Sequence, residues 1–194
     1  KALIAFETGA MDRAISIFQQ SLEIQPDPLQ RVNLGTAYMM NGDYEQARQQ
    51  FLIAYQSGSR DSVLVLNLAD AEQLLGNQEQ ARILYTDITK RQAEGDIAVD
   101  PIAAAQAHAQ LGEFRAALSL LKSMETEWKG APPYIFSSAL IYSLAGQDLT
   151  AIVEVERALE SGLPASWFDL PWFDTLCRQE SFSLALANAG ETDR

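Results

Sequence analysis

Leu34-Gly35-Thr36-Ala37-Tyr38, then Gly42-Asp43-Tyr44, then Ala47 and Phe51: the reading of this stretch decides the fold. Its glycine at position 42 has counterparts at Gly76, Gly112 and Gly146, spaced 34, 36 and 34, and Gly9 precedes it by 33. Five residues after each glycine stands an alanine: Ala14, Ala47, Ala81, Ala117 and Ala151. Four residues on comes a large apolar side chain (Phe18, Phe51, Tyr85, Leu121, Val155), and three after that Ser21, Ala54, Ile88, Met124 and Ala158. Five copies in one register make a repeat, and a repeat of this period is built from one supersecondary unit stacked on its neighbours.

The spacing has a physical meaning. Each unit is two helices joined at the glycine, whose tolerance of positive φ lets helix A stop and helix B start within a few residues. The alanine is small because the two helices cross closely there, and the large residue four positions on lies on the same face. Asp12, Asp43, Asn77, Glu113 and Asp148 follow the glycines and suit the positive end of helix B.

The pattern L-G-x-x-Y…A-x-x-x-F resembles that of the tetratricopeptide repeat, and Pro26 falls where that family usually places a proline. The resemblance covers residues 1 to about 165. It implies an all-α, right-handed α-solenoid with units at approximately 1–27 (partial), 28–61, 62–97, 98–131 and 132–165, and a C-terminal helical cap over 166–194. Arg31 stands where the family has Trp, Glu72 and His108 where it has Tyr, and the first unit lacks most of its helix A. The step between the third and fourth units is longer: Thr89 to Glu94 extend helix B, Gly95 ends it, and Asp100-Pro101 suits an N-cap and first turn. A local change of superhelix curvature is expected there.

After residue 165 the period stops. Trp167, Phe168, Leu170, Trp172, Phe173, Leu176 and Phe182 are apolar enough to cover the last hairpin, because a solenoid's terminal helix exposes an apolar face. Two short helices are expected, one from near Pro171 and one capped by Ser181.

Composition bounds function. With 47% apolar and 21% charged residues the chain is that of a soluble globular protein. Its net charge of −12 argues against nucleic acid, whose phosphates are bound mainly by Lys and Arg. No segment is basic: 1–61 carries −2, 62–97 −3, 98–131 −1, 132–165 −3 and 166–194 −3. The longest uncharged run, Ala131 to Gln147, is broken by Pro132-Pro133 and shorter than the ~20 residues of a membrane span. The chain opens in helical sequence without an initiator Met, which is expected of a piece of a longer, cytoplasmic or extracytoplasmic protein.

Catalytic patterns do not emerge. The sequence holds no phosphate-binding glycine loop, nucleophile elbow or metal-binding His/Cys cluster, so no catalysis, metal or cofactor is expected. The lone His108 is read as a packed or partly solvated side chain facing the hairpin interior. Cys177 is read as a small buried hydrophobe, and Asp169, Asp174 and Glu180 as a solvated rim.

The expected occupant is a protein or peptide segment. The resemblance implies that helix A lines a concave wall through the second, fifth, sixth, ninth and twelfth positions of each unit. On this sequence these are Leu29, Val32, Asn33, Thr36 and Met39, then Val63, Leu66, Asn67, Asp70 and Gln73. Val99, Ile102, Gln106 and Ala109 follow, then Phe136, Leu140 and Ser143. Asn33 and Asn67 sit one repeat apart, and a side-chain amide can both donate to and accept from a peptide backbone. The wall has no Lys or Arg, which the family uses to grip a C-terminal carboxylate.

Two roles fit: a stand-alone or modular interaction scaffold, or a regulatory segment of a larger signalling protein. The second rests on Asn67-Leu68-Ala69-Asp70, Leu74-Leu75-Gly76, Gly162-Leu163-Pro164 and Trp167-Phe168-Asp169-Leu170-Pro171-Trp172-Phe173. These look like the C-terminal repeat region of bacterial serine/threonine kinase-like proteins.

Overall fold

A computed structural model describes residues 2–7 and 10–192, and among these every regular element is helical. The chain forms two compact units, Lys1–Asp100 and Pro101–Arg194. The first contains α1 (Ala2–Glu7), α2 (Met11–Ile24), α3 (Pro28–Met40), α4 (Tyr44–Gln56), α5 (Ser62–Leu74) and α6 (Gln78–Ala93). The second contains α7 (Pro101–Gln110), α8 (Phe114–Trp128), α9 (Pro132–Leu144) and α10 (Asp148–Glu160), then three short 3-10 turns and α11 (Glu180–Thr192). Within each unit consecutive helices pack on one another, and alternate helices also touch (α3 on α5, α7 on α9).

The glycine turn repeats in atomic detail. Gly42, Gly76, Gly112 and Gly146 have φ of 83°, 83°, 77° and 69°. At Gly42 the helix closes by two bonds: its N–H donates to the Met39 carbonyl at 3.1 Å, and the Asp43 N–H donates to that of Tyr38 at 2.9 Å. The second bond recurs from Asn77 to Glu72, Glu113 to His108 and Gln147 to Tyr142, at 2.8, 2.8 and 2.9 Å. It satisfies a carbonyl the helix end would leave bare. Gly9 lies outside the described residues.

The alanines and the large apolar residues of the repeat are all buried, as are Ala54, Ile88, Met124 and Ala158, while Ser21 is half-buried. Gly35 explains the second letter of the repeat. A Cβ there would stand 2.5 Å from Phe51 Cε1, so the close approach of α3 to the Phe51 ring requires glycine.

The polar residues after the glycines stand at the starts of the second helices, with Asp12 and Asp148 in the first turns of α2 and α10. Asp43, Asn77 and Glu113 are N-cap residues, yet none bonds its own helix through its side chain. They reach back across the turn instead: Asn41 Nδ2 donates to Asp43, Asn77 Nδ2 donates to Glu72 Oε2 at 2.7 Å, and Glu113 Oε2 meets His108 Nδ1 at 2.6 Å. Glu72 and His108, the departures from Tyr, therefore each gain a partner five residues on. The starts of α3 and α5 do use side-chain caps: Asp27 accepts from the Leu29 N–H, and Asp61 from those of Val63 and Leu64. Gly95, at φ 78°, ends the lengthened α6. Beyond it the Asp100 N–H donates to Ser62 Oγ at 2.8 Å.

The end of the second unit corrects three expectations. The segment from Pro171 is a three-residue 3-10 turn, one of three spanning Ala165–Asp169, Pro171–Phe173 and Leu176–Arg178. Pro164 and Leu170, each extended at ψ near 140°, precede the first two of these turns, and Leu170, as the residue before Pro171, is pushed out of the α region. The last helix begins at Glu180, so Ser181 lies inside its first turn and does not precede it. Cys177 is exposed, because its neighbour Leu176 takes the interior position. Phe168, Phe173, Leu176 and Phe182 are buried, and Asp169, Asp174 and Glu180 are exposed.

Candidate functional site

In the first unit the helix A positions of α3 and α5 divide by depth. Leu29 and Val63 are exposed (66% and 40%), an unusual state for large apolar side chains one repeat apart. Val32, Asn33, Thr36, Asn67 and Gln73 are half-buried. Met39 and Leu66 are buried. Val99, in the loop after α6, is buried as well.

A short polar chain joins the two helices. Thr36 Oγ1 donates to the Val32 carbonyl at 3.0 Å, which leaves its lone pairs toward Asn67, whose Nδ2 lies 3.4 Å away. Asn67 Oδ1 and the amide of Asn33 carry no such contact among the described residues, so two primary amides one repeat apart remain able to donate and accept.

Asp70 is more deeply set than a wall residue should be. It is buried, and its Oδ1 accepts from the Tyr85 hydroxyl of α6 at 2.6 Å. Burial pushes this carboxyl up to about 7, while the Tyr85 bond pulls it the other way. Burial likewise raises the Tyr85 hydroxyl. By register alone Tyr85 is a packing residue and Asp70 a wall residue. An acid at a helix A position and a hydroxyl-bearing ring at the helix B core position of the same repeat was the signal for the pair.

In the second unit the corresponding positions are covered. Ile102 and Ala109 are core, and Gln106 Nε2 donates to Ser137 Oγ at 2.8 Å, whose hydroxyl in turn donates to the Pro133 carbonyl. Phe136 meets the rings of Trp167, Phe168 and Phe173 at 5.7, 5.9 and 6.0 Å. Leu140 is buried, and Ser143 Oγ donates to the Trp172 carbonyl at 2.9 Å. Ile102, Gln106 and Leu140 are thus buried, and half-buried Phe136 lies against the aromatic segment.

The first unit also holds a cleft of about 920 Å³ between α4 and α6, edged by Leu52, Tyr55, Gln80 and Ile83. Its floor is a closed ion network: Arg48 Nε donates to Glu72 Oε1 at 2.8 Å, and Glu72 Oε2 accepts from Asn77. Exposed Gln78, Glu79 and Gln80 edge the cleft above this network. Among the described residues no group of three or more His, Cys, Asp or Glu side chains is arranged to hold a metal, and no helix is long and apolar enough to cross a membrane.

Models of the tetratricopeptide repeat match residues 1–28 and 32–97. Comparison with curated proteins finds no match. Among solved structures the chain is similar to YrrB, a tetratricopeptide-repeat protein with an unusual peptide-binding site, at 16% identity and a TM-score of 0.45, covering 82% of each chain. It is similar to a tetratricopeptide-repeat protein from Parabacteroides merdae ATCC 43184 at 14% identity and a TM-score of 0.43, covering 100% of this chain and 91% of that one. The TPR2AB domain of yeast Sti1 in its pHSP90 complex gives 12% identity and a TM-score of 0.41, covering 98% and 96%.

Proposed function

We propose that this chain, a tetratricopeptide-repeat protein, is a non-catalytic scaffold that holds a segment of another protein along the α3 and α5 face of its first unit. The repeats run over residues 1–165, and 166–194 closes the last hairpin. The observation that carries the reading is the pairing of Asn33 and Asn67 one repeat apart, half-exposed and flanked by exposed Leu29 and Val63. Repeated amides next to repeated apolar side chains suit a peptide: the amides bond its backbone, and the apolar groups cover its side chains.

The test is a displayed library of random peptides selected on the whole chain, followed by titration of the enriched peptides against parent and N33A/N67A. Each lost hydrogen bond costs about 1 kcal/mol, so the double variant should weaken binding by roughly tenfold to a hundredfold. Alanine is the better helix former, so its melting temperature should hold or rise slightly. Unchanged affinity with an intact fold refutes the assignment of this face. In the alternative, the chain is a regulatory segment of a bacterial kinase-like signalling protein, a reading carried by the Trp167–Phe173 run. A coding sequence without a kinase domain upstream removes it.

A further inference from the structure

Asp70 is a carboxylate in a place that ordinarily excludes one. Only 4% of the residue is exposed, and the Tyr85 hydroxyl is the hydrogen-bond partner its side chain has among the described residues. The bond reaches Oδ1 alone, and an ionised carboxylate can accept about four.

Among the described cations of the unit, Arg13 of α2 and Arg82 and Lys90 of α6 are exposed, and the others are engaged elsewhere. Arg48 of α4 is bound to Glu72 and Glu45, Arg60 lies over the Tyr55 ring, and Arg91 of α6 pairs with Asp96 and Asp87. Arg31 of α3 donates to Gln50, and Tyr38 of α3 accepts from Gln19. Tyr85 is thus the titratable group that meets Asp70 from the helices packed on α5. A buried charge without a counter-charge is costly, and the cost is relieved when a cation arrives. Nothing in packing requires it: Asn at position 70 would accept the same bond from Tyr85.

Position also matters. Asp70 follows Val63, Leu66 and Asn67 on one face of α5, at the spacing of seven, four and three residues that aligns side chains along a helix. Asn67, half-buried on this face, contacts Thr36 of α3. We propose that Asp70 is the seat for a basic side chain, so that the segment held along α3 and α5 presents a lysine or arginine to its carboxylate. The inference rests on the groove reading above and adds the chemistry of the occupant. The acidic balance of the chain, −12 overall, favours approach of such a segment. Because the carboxyl is held up to about 7, cation binding draws a proton off it, and affinity rises with pH across neutrality.

The probes are the peptides enriched from the display library and their norleucine analogues, in which one lysine loses its ammonium group and keeps its aliphatic stem. Expected is a shared Lys or Arg, whose replacement by norleucine weakens binding about tenfold or more to the parent but less than about twofold to D70N. Melting curves establish that D70N is folded, and the peptide substitution reads out on the unaltered protein in any case. Peptides that respond to N33A/N67A but lose equally to parent and D70N on norleucine replacement overturn the Asp70 seat and leave the groove standing. Peptides indifferent to N33A/N67A, or a library from which nothing is enriched, contradict the groove and the seat together.

Discussion

Gly35→Ala is the smallest change that asks whether the repeat's close helix crossing is real. The new Cβ would lie 2.5, 2.7 and 2.9 Å from Phe51 Cε1, Cδ1 and Cζ, where ordinary contact begins at 3.4 Å. Three ring atoms must therefore move by up to about 1 Å, and Phe51 is fully buried, with no solvent side to retreat to. Overpacking of this kind costs roughly 1–3 kcal/mol. Against it stands the gain of about 1 kcal/mol from replacing glycine by alanine inside a helix. The clash involves a rigid buried ring, so the cost should fall in the upper part of that range, about 2–3 kcal/mol, and leave the variant less stable by about 1–2 kcal/mol. Urea unfolding followed by far-ultraviolet circular dichroism measures it. Phe51→Leu makes room, so G35A should cost less in that background than alone. A G35A chain as stable as the parent, or stabilised by the helix-propensity gain, refutes the packing account.

Other consequences follow from the same geometry. Asp70 holds its proton up to about pH 7 when folded and only to 3.8 when unfolded, so the native state binds more protons between these values and stability falls as pH rises through them. D70N should match the parent near pH 4 and exceed its stability at pH 8, by an amount on the order of a few kcal/mol; parallel pH profiles would sink this. Removing residues 166–194 uncovers Phe136 and discards buried Phe168, Phe173, Leu176 and Phe182, a loss of several kcal/mol at roughly 25 cal/mol per Å². A truncated chain that melts at the parental temperature would show that the segment is a tail. Exposed Cys177 should react with a thiol reagent in the folded protein as fast as in urea, and strong protection would return it to the interior.

Much of the architecture was legible because the repeat states it five times. The glycine at each described turn has a left-handed φ, the alanine marks a close crossing and the large apolar side chain fills the interior, so three residue types at fixed offsets encode a hairpin. The aromatic tail was legible as a cover but not as a shape: Pro164 and Pro171 break it into 3-10 turns, and a break decided at single peptides leaves no periodicity to read. The site was half legible. Register assigns a residue to a helix face but not to a depth, so exposed Leu29 and buried Met39 looked alike. Phe136 and Leu140 carried the right register and were covered by a segment outside the repeat. Asp70 was found by register, and its tie to Tyr85 depends on a contact that crosses from α5 to α6.

The central claim is that a partner lies along α3 and α5. Amide-resolved NMR of the chain, titrated with a library-selected peptide, tests it most directly because the Asn33 and Asn67 side-chain NH₂ groups give their own resonances. The account predicts that both pairs shift and saturate together with the backbone amides of Leu29, Val32 and Val63. Shifts confined to Leu52, Tyr55, Gln80 and Ile83, with the two asparagines silent, would place the partner in the α4–α6 cleft and contradict it.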